Sequence, residues 1–326
     1  CLNLFGEKIF WYYPKSFNEI ELSTWFDRAI TRLRSGLSTL EVAAYGDDSL
    51  VGRMVGGVVK WFCGDFSKFD RHQNELTMAI QKLLMVFAGW SEEALAFWTE
   101  MVTSTTARVR LRLAKFAVKF KHDIFRLTGG AETATGNVAV NFVVTSWVYA
   151  RYPLDIVAGY AKTGFKAVVT SCFSWEGPDF LKGWFLRADQ GWTWLPLPSA
   201  VLKLGKTISN PRILFKNDDW PTIYRKLMFS LSQTFGKVPY DYPLLGGLIK
   251  RYEQLGIEHS TVVGDENRYV QRRVARVVTG VRPHALELLQ CRYNITAAEV
   301  RAYEEAVCEA YPPCRIPAPP QLLDDY

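Results

Sequence analysis

The sequence predicts an α+β fold, and three observations carry that prediction. Strand-like stretches gather near 40–63 and again at 165–204, helical periodicity runs through 18–37, 75–103 and 132–150, and the chain from Asn217 onward is mainly helical. Strands and helices grouped in runs of their own kind are the mark of an α+β chain.

From Asn18 to Leu37 apolar residues return at helical spacing (Ile20, Leu22, Trp25, Phe26, Ile30, Leu33), and Ser35-Gly36 supplies a stop. Leu40 to Tyr45 reads as a short strand, Gly46-Asp47-Asp48 as a turn, and Ser49 to Met54 as the returning strand. Gly56-Gly57 marks another turn before a buried strand over Val58 to Cys63. Two helices follow, Glu75 to Trp90 and Glu92 to Thr103, the second capped by Ser91. Arg108 to Phe125 alternates with period two, which places Arg108, Arg110 and Arg112 on one face of a basic edge hairpin. Beyond Thr128-Gly129-Gly130 a long, largely buried helix covers Glu132 to Ala150. "GWFLRADQGWTWLPLP" reads as a β-hairpin, and a proline-rich tail occupies Pro312 to Pro320.

Of the 326 residues, 48% are hydrophobic, 14% aromatic and 22% charged, which describes a folded chain with ample core and excludes disordered and fibrous classes. The net charge of +6 leans toward an anionic partner such as nucleic acid. Six cysteines are scattered, and only Cys308 and Cys314 lie close together, with no histidine near them. Reduced thiols are therefore expected, and a zinc site is not. No signal peptide opens the chain, and the longest apolar run, Val138 to Ala150, is too short to span a bilayer and contains Asn141. The chain starts at Cys1 rather than Met, so a fragment or a processed piece is expected.

"AYGDDSL" sets the chemical question. Adjacent aspartates repel one another and resist burial unless cations or hydrogen-bond donors compensate them. A plain turn between strands accommodates the pair; a metal site accommodates it too, given a third acid. "CGDFSKFD" supplies that acid: Asp65 follows the apolar strand Val58 to Cys63, and Asp70 lies just beyond it. Carboxylates at a strand end beside a hairpin tipped by Asp47-Asp48 suit a site for two divalent cations. Downstream, Thr128-Gly129 precedes a helix on which Thr133 and Asn137 sit four apart on one face.

As a set, these stretches resemble the palm of a viral RNA-dependent RNA polymerase. "GDFSKFDRHQNE" resembles motif A, "TGGAETATGN" motif B and "YGDDSL" motif C; "AKTGFKAVV" and "PDFLKGWFLRADQGWTWLPLP" are similar to motifs D and E. The order is unusual, because motif C precedes A, as in the permuted polymerases of permutotetraviruses and birnaviruses. The resemblance implies a right-hand polymerase with an antiparallel palm sheet, a helical thumb and partial fingers. It implies partial N-terminal fingers or an extension at 1–39, palm at 40–70 (motifs C and A), a fingers insertion at 71–127, palm again at 128–205 (motifs B, D and E), and thumb at 206–326.

The roles implied by the resemblance follow residue by residue. Asp65 and Asp47 are the principal ligands of two Mg²⁺ ions, for which Mn²⁺ can substitute, with Asp48 as a secondary ligand. Asp70 and Asn137 sense the ribose 2′-hydroxyl, Thr133 supports them, and Thr128-Gly129 forms the loop near the template–nucleotide pair. Lys166 or Lys162 protonates the leaving pyrophosphate, with Lys166 the first choice. Arg28, Arg32 and Arg34 meet the nucleotide triphosphate, and Arg108, Arg110, Arg112, Lys115, Lys119 and Lys121 line an RNA channel. The implied partners are template and product RNA, NTPs, and other viral replicase segments or host factors. The expected place of action is the host cytoplasm or the virion, not the exterior of the cell. A non-catalytic RNA-binding replicase or capsid module on a palm-like fold is the alternative.

Overall fold

Strands between Leu2 and Phe173 pair into one six-stranded sheet in the computed structural model, which describes residues 2–14, 19–103, 106–111, 116–121, 133–202, 204, 211–213, 215–235, 238–259 and 278–325. The chain divides into two units. The first holds Cys1–Glu21, Trp25–Ser174 and Pro178–Leu181, and the second holds Leu22–Thr24, Trp175–Gly177 and Lys182–Tyr326.

In the first unit, β1 (Leu2–Leu4) and β2 (Glu7–Tyr12) lead through helix α1 (Glu19–Arg34) to β3 (Leu40–Tyr45), β4 (Asp48–Val55) and β5 (Val58–Phe66). Helices α2 (Glu75–Phe87) and α3 (Glu92–Thr103), strands β6 (Thr106–Leu111) and β7 (Phe116–Lys121), helices α4 (Thr133–Arg151) and α5 (Ile156–Lys162), β8 (Ala167–Phe173) and the short β9 (Asp179–Phe180) follow. The sheet order is β1-β2-β3-β4-β5-β8. β2 runs parallel to β3, and the other neighbours are antiparallel. The basic stretch forms a two-stranded sheet of its own, β6 with β7, rather than an edge of the larger sheet.

Turn chemistry sets the centre of this sheet. β3 turns into β4 through Gly46-Asp47, with Gly46 at φ 60°, the glycine-first pattern of a type II′ hairpin. β4 turns into β5 through Gly56-Gly57 at φ 59° and 81°, the two left-handed residues of a type I′ turn. Two close approaches then hold the register. Gly52 lies opposite Trp61, and a Cβ on it would sit 2.6 Å from the indole; Gly64 lies opposite Ser49, and a Cβ there would sit 2.6 Å from Ser49 Oγ.

The two faces are covered differently. Leu40, Val42, Ala44, Val51 and Phe66 bury against Val140, Val144 and Val148 of α4 and Tyr160 of α5. On the opposite face Trp61 stacks on Phe26 of α1 at 4.4 Å and meets Trp25 edge-on at 5.9 Å. Toward the other end of α1, Arg32 grips the buried Glu41 carboxylate through two bonds of 2.6 and 2.7 Å, and Ser38 Oγ donates to it at 2.6 Å. The same guanidinium lies 4.5 Å over the Phe10 ring.

In the second unit, the antiparallel hairpin β10 (Gly183–Ala188) and β11 (Gly191–Pro196) shares a core with helices α6 (Trp220–Thr234), α7 (Leu245–Leu255), α8 (Arg282–Tyr293) and α9 (Ala297–Glu309). Trp184, Leu186, Leu195, Leu248, Leu289 and Val300 belong to that core. The Trp184 indole donates to Tyr242 Oη at 2.8 Å, and Tyr242 donates to the Pro196 carbonyl at 2.6 Å. Arg282 holds Glu304 through bonds of 3.1 and 2.8 Å. Among the described residues no helix is long and apolar enough to cross a membrane.

The Arg32–Glu41 pair yields a stability prediction. Glu41 is fully buried, so Arg32→Ala strands a carboxylate away from water and is expected to destabilise the chain by about 3 kcal/mol. A fall in the urea midpoint of that order checks it, and an unchanged midpoint would contradict the structural role.

Candidate active site

The antiparallel register lines up one row of residues across the end of the sheet. Tyr45 on β3 faces Asp48 on β4, Asp48 faces Asp65 on β5, and Asp65 faces Val168 on β8. Because strand side chains alternate between faces, this row shares the side of Trp61 and points away from α4. Tyr45, Asp65 and Val168 are exposed and Asp48 is half-buried, so the row is open to solvent. Asp47 is exposed in the turn itself. The register thus sets Asp48, expected as the secondary ligand, directly opposite Asp65, and sets Asp47 at the apex beside them.

Beyond β5 the chain enters a single 3₁₀ turn, Phe69–His72, which carries Asp70. Phe69 anchors that turn by stacking on Phe66 at 4.7 Å and Phe165 at 4.8 Å. Asn137 on α4 donates from Nδ2 to Asp70 Oδ1 at 2.8 Å. Two residues 67 apart in sequence are therefore joined beside the strand that carries Asp65. His72 Nδ1 donates to the Lys68 carbonyl at 3.1 Å, a local bond at the start of the same turn.

A buried polar chain, unread in the sequence, underlies the carboxylate hairpin. Asn141 on α4 is fully buried and donates from Nδ2 to the Gly46 carbonyl at 3.2 Å and the Asp48 carbonyl at 3.1 Å. Its Oδ1 accepts from Thr145 Oγ1 at 2.9 Å, and Thr145 Oγ1 lies 3.1 Å from Tyr160 Oη on α5. Burial pushes the Tyr160 phenol well above its usual range, against the opposing pull of its hydrogen bonds to Thr145 and Ser49. The signal was present: Thr133, Asn137, Asn141 and Thr145 recur every four residues along one helix stripe, and polar groups inside an apolar helix require partners.

The remaining residues fall in several places. Lys166 is exposed just before β8, and its carbonyl accepts from the Ser67 N–H at 2.9 Å, so its backbone adjoins the segment after Asp65. Lys162 is exposed in the last turn of α5, and Asp155 caps that helix, accepting from Ala158 N–H at 3.0 Å. Arg28 and Arg34 are exposed on α1, whereas Arg32 is engaged by Glu41. The β6–β7 register pairs Arg108 with Lys119, Arg110 with Ala117 and Lys121 with Thr106. Thr133 opens α4. Thr128, Gly129, Arg112 and Lys115 lie outside the described residues.

Among the described residues no three His, Cys, Asp or Glu side chains gather into a closed metal cage. Mg²⁺ does not demand one, since it is commonly held by one or two carboxylates together with water and substrate phosphates. Two hard oxygen donors facing each other on an open sheet end have the right chemistry for such an ion. They also carry a cost, because like charges directly opposite on neighbouring strands destabilise a sheet. Asp65→Asn is therefore expected to stabilise the chain by about 0.5 kcal/mol in chelator and to remove most of the melting-temperature rise that Mg²⁺ gives the wild type. Melting curves with EDTA and with Mg²⁺ check both arms.

Comparison with known proteins adds a family context to this geometry. Residues 62–159 match the family model described as RNA dependent RNA polymerase. The match includes Asp65, Asp70, Asn137 and Asn141, and begins after the Gly46-Asp47-Asp48 turn. The chain is 36% identical over 85 residues to the RNA-directed RNA polymerase 2a of Alfalfa mosaic virus, covering 26% of this chain and 10% of the relative. It is 33% identical over 84 residues to the methyltransferase/helicase/RNA-directed RNA polymerase of Raspberry bushy dwarf virus, isolate Malling Jewel raspberry/R15, covering 26% of this chain and 5% of the relative. The chain thus spans a tenth or less of the length of these relatives.

Proposed function

We propose that this chain carries the palm of a viral RNA-directed RNA polymerase and extends RNA by template-directed nucleotidyl transfer. The observation that carries the reading is the Asn137–Asp70 bond of 2.8 Å beside the Asp48/Asp65 pair. It unites, at one end of one sheet, the residue types that such a reaction needs. The similarity of residues 62–159 to the polymerase family supports the same assignment.

In this reading Asp65, Asp48 and Asp47 hold divalent cations through carboxylate oxygens. A cation held by these carboxylates would supply Lewis-acid activation of the 3′-hydroxyl and charge for the leaving pyrophosphate. Asp70 and Asn137 receive the ribose 2′-hydroxyl, since a carboxylate accepts and an amide donates, and this distinguishes ribonucleotides from deoxyribonucleotides. Lys166 gives a proton to the departing pyrophosphate. The basic strands β6 and β7 attract RNA phosphates, and template, product and NTPs are the partners. The setting proposed is the replication complex in the host cytoplasm.

We read the order of parts as permuted, with motif C ahead of A and B. Two facts support this. The matched segment begins at residue 62, after the Gly46-Asp47-Asp48 turn. The hairpin β3–β4 nevertheless lies directly beside β5 in the sheet.

The test is incorporation of labelled nucleotide by the purified chain on an RNA template with Mg²⁺. Asp65→Asn or Asp48→Asn should lower kcat by at least about 100-fold. Asn137→Ala should narrow the preference for ribonucleotides by about tenfold, the equivalent of one hydrogen bond. Full activity in both aspartate variants would sink the proposal.

A further inference from the structure

We propose that Asn141 is a positioning residue for the carboxylate hairpin, aiming Asp48 at Asp65 through the backbone of the turn. The functional meaning of this inference rests on the polymerase reading above, while its structural content does not.

The geometry accounts for every carbonyl of the turn. Asn141 Nδ2 has two protons, and one bond reaches the Gly46 carbonyl at 3.2 Å while the other reaches the Asp48 carbonyl at 3.1 Å. The Asp47 carbonyl between them accepts from the Phe66 N–H at 3.3 Å. Three consecutive peptide planes are thus held from α4 and β5. A held peptide plane fixes the direction in which the adjoining Cα–Cβ bonds leave the chain. The brace therefore acts on Asp47 and Asp48 although it touches neither carboxylate.

Proton accounting also gives the brace a direction. Thr145 Oγ1 has one proton, and it goes to Asn141 Oδ1 at 2.9 Å. The contact of 3.1 Å between Thr145 Oγ1 and Tyr160 Oη must then run from the phenol to the threonine. Tyr160 donates to Thr145, Thr145 to Asn141, and Asn141 to the hairpin. A flipped Asn141 amide would present its oxygen to two carbonyl oxygens, which cannot donate, so one orientation is selected. Burial keeps the phenol protonated, which leaves this chain intact across the working pH range.

The choice of an amide is chemically specific. A lysine at this position would set a positive charge beneath the acids and compete with any cation they bind. A leucine would remove the side-chain donor from both the Gly46 and the Asp48 carbonyl. An uncharged double donor avoids both outcomes.

The test uses the whole chain and two readouts, Mn²⁺ binding by calorimetry and nucleotide incorporation on an RNA template. Asn141→Leu should weaken Mn²⁺ binding and lower kcat by about 10- to 100-fold each, the range seen when groups that orient metal ligands are removed. KM for NTP should stay within about twofold, because the substrate contacts remain. Thr145→Val, which leaves Asn141 in place but unaimed, should give a smaller loss in the same two quantities. Thr145→Ser should restore both, as a merely space-filling role would not require. If Asn141→Leu does not fold, the Thr145→Val and Thr145→Ser pair carries the test alone. Wild-type Mn²⁺ affinity in a folded Asn141→Leu variant, or equal losses in Thr145→Val and Thr145→Ser, would overturn the inference. A wild-type chain that binds Mn²⁺ but incorporates no nucleotide would count against the polymerase reading and leave the Mn²⁺ comparison to judge Asn141.

Discussion

A slip of one residue between β4 and β5 would turn Asp48 away from Asp65, because side chains alternate from face to face along a strand. The fold guards against that slip with two interlocks of opposite sense. Gly52 on β4 leaves room for Trp61 on β5, and Gly64 on β5 leaves room for Ser49 on β4. Shifting either strand would drive a side chain into a site that has space only for hydrogen. Trp61 is in turn held by Phe26 and Trp25 of α1, so core packing on one face transmits its rigidity to a carboxylate pair at the far end of the same strands. The glycine turns at both ends of β4 complete the constraint, since each sets its hairpin register without a loop of adjustable length.

The sequence disclosed the elements more readily than the contacts among them. Strand 40–45 and helix 92–103 have the bounds their periodicity implies, because alternation and a Ser91 cap are local signals; Ser91 Oγ does accept from Ala94 N–H at 3.2 Å. The strands β1 and β2 escaped notice, although Ile9-Phe10-Trp11-Tyr12 is rich in strand-favouring aromatics. β1 is only a three-residue strand hairpinned onto β2 through Phe5-Gly6, and β2 pairs in parallel with β3 across a helix, which leaves no local mark. Within the acid pair, sequence alone could not say which aspartate opposes Asp65, since that depends on whether the turn holds Gly46-Asp47 or Asp47-Asp48. Arg32 shows the same gap: the family resemblance implied a nucleotide contact for it, and no local signal pairs it with the buried Glu41 on β3.

Electrostatics and packing pull against each other at the hairpin. The acids face one another on the open side, while the closed side is braced by neutral donors that include an amide, two hydroxyls and a backbone N–H. A cationic brace would stabilise the bare chain more, and would also lower the pull of the acids on a cation arriving from solvent. Neutral hydrogen bonds fix direction without adding a charge of their own. Such an arrangement keeps two like charges opposite one another at some cost in stability.

Chain order matters little to this geometry, and the connections show why. β4 and β5 are antiparallel neighbours, so the Gly56-Gly57 turn suffices to join them. α4 reaches the site from a distant part of the sequence, yet it touches the hairpin through Asn141 and the Asp65 segment through Asn137, four residues apart on one helix stripe. The helix therefore couples the two carboxylate-bearing segments whether the chain arrives at the hairpin before or after it. What the site requires is that β4, β5 and α4 meet with these faces together, and a permuted order of motifs meets that requirement as well as a conventional one.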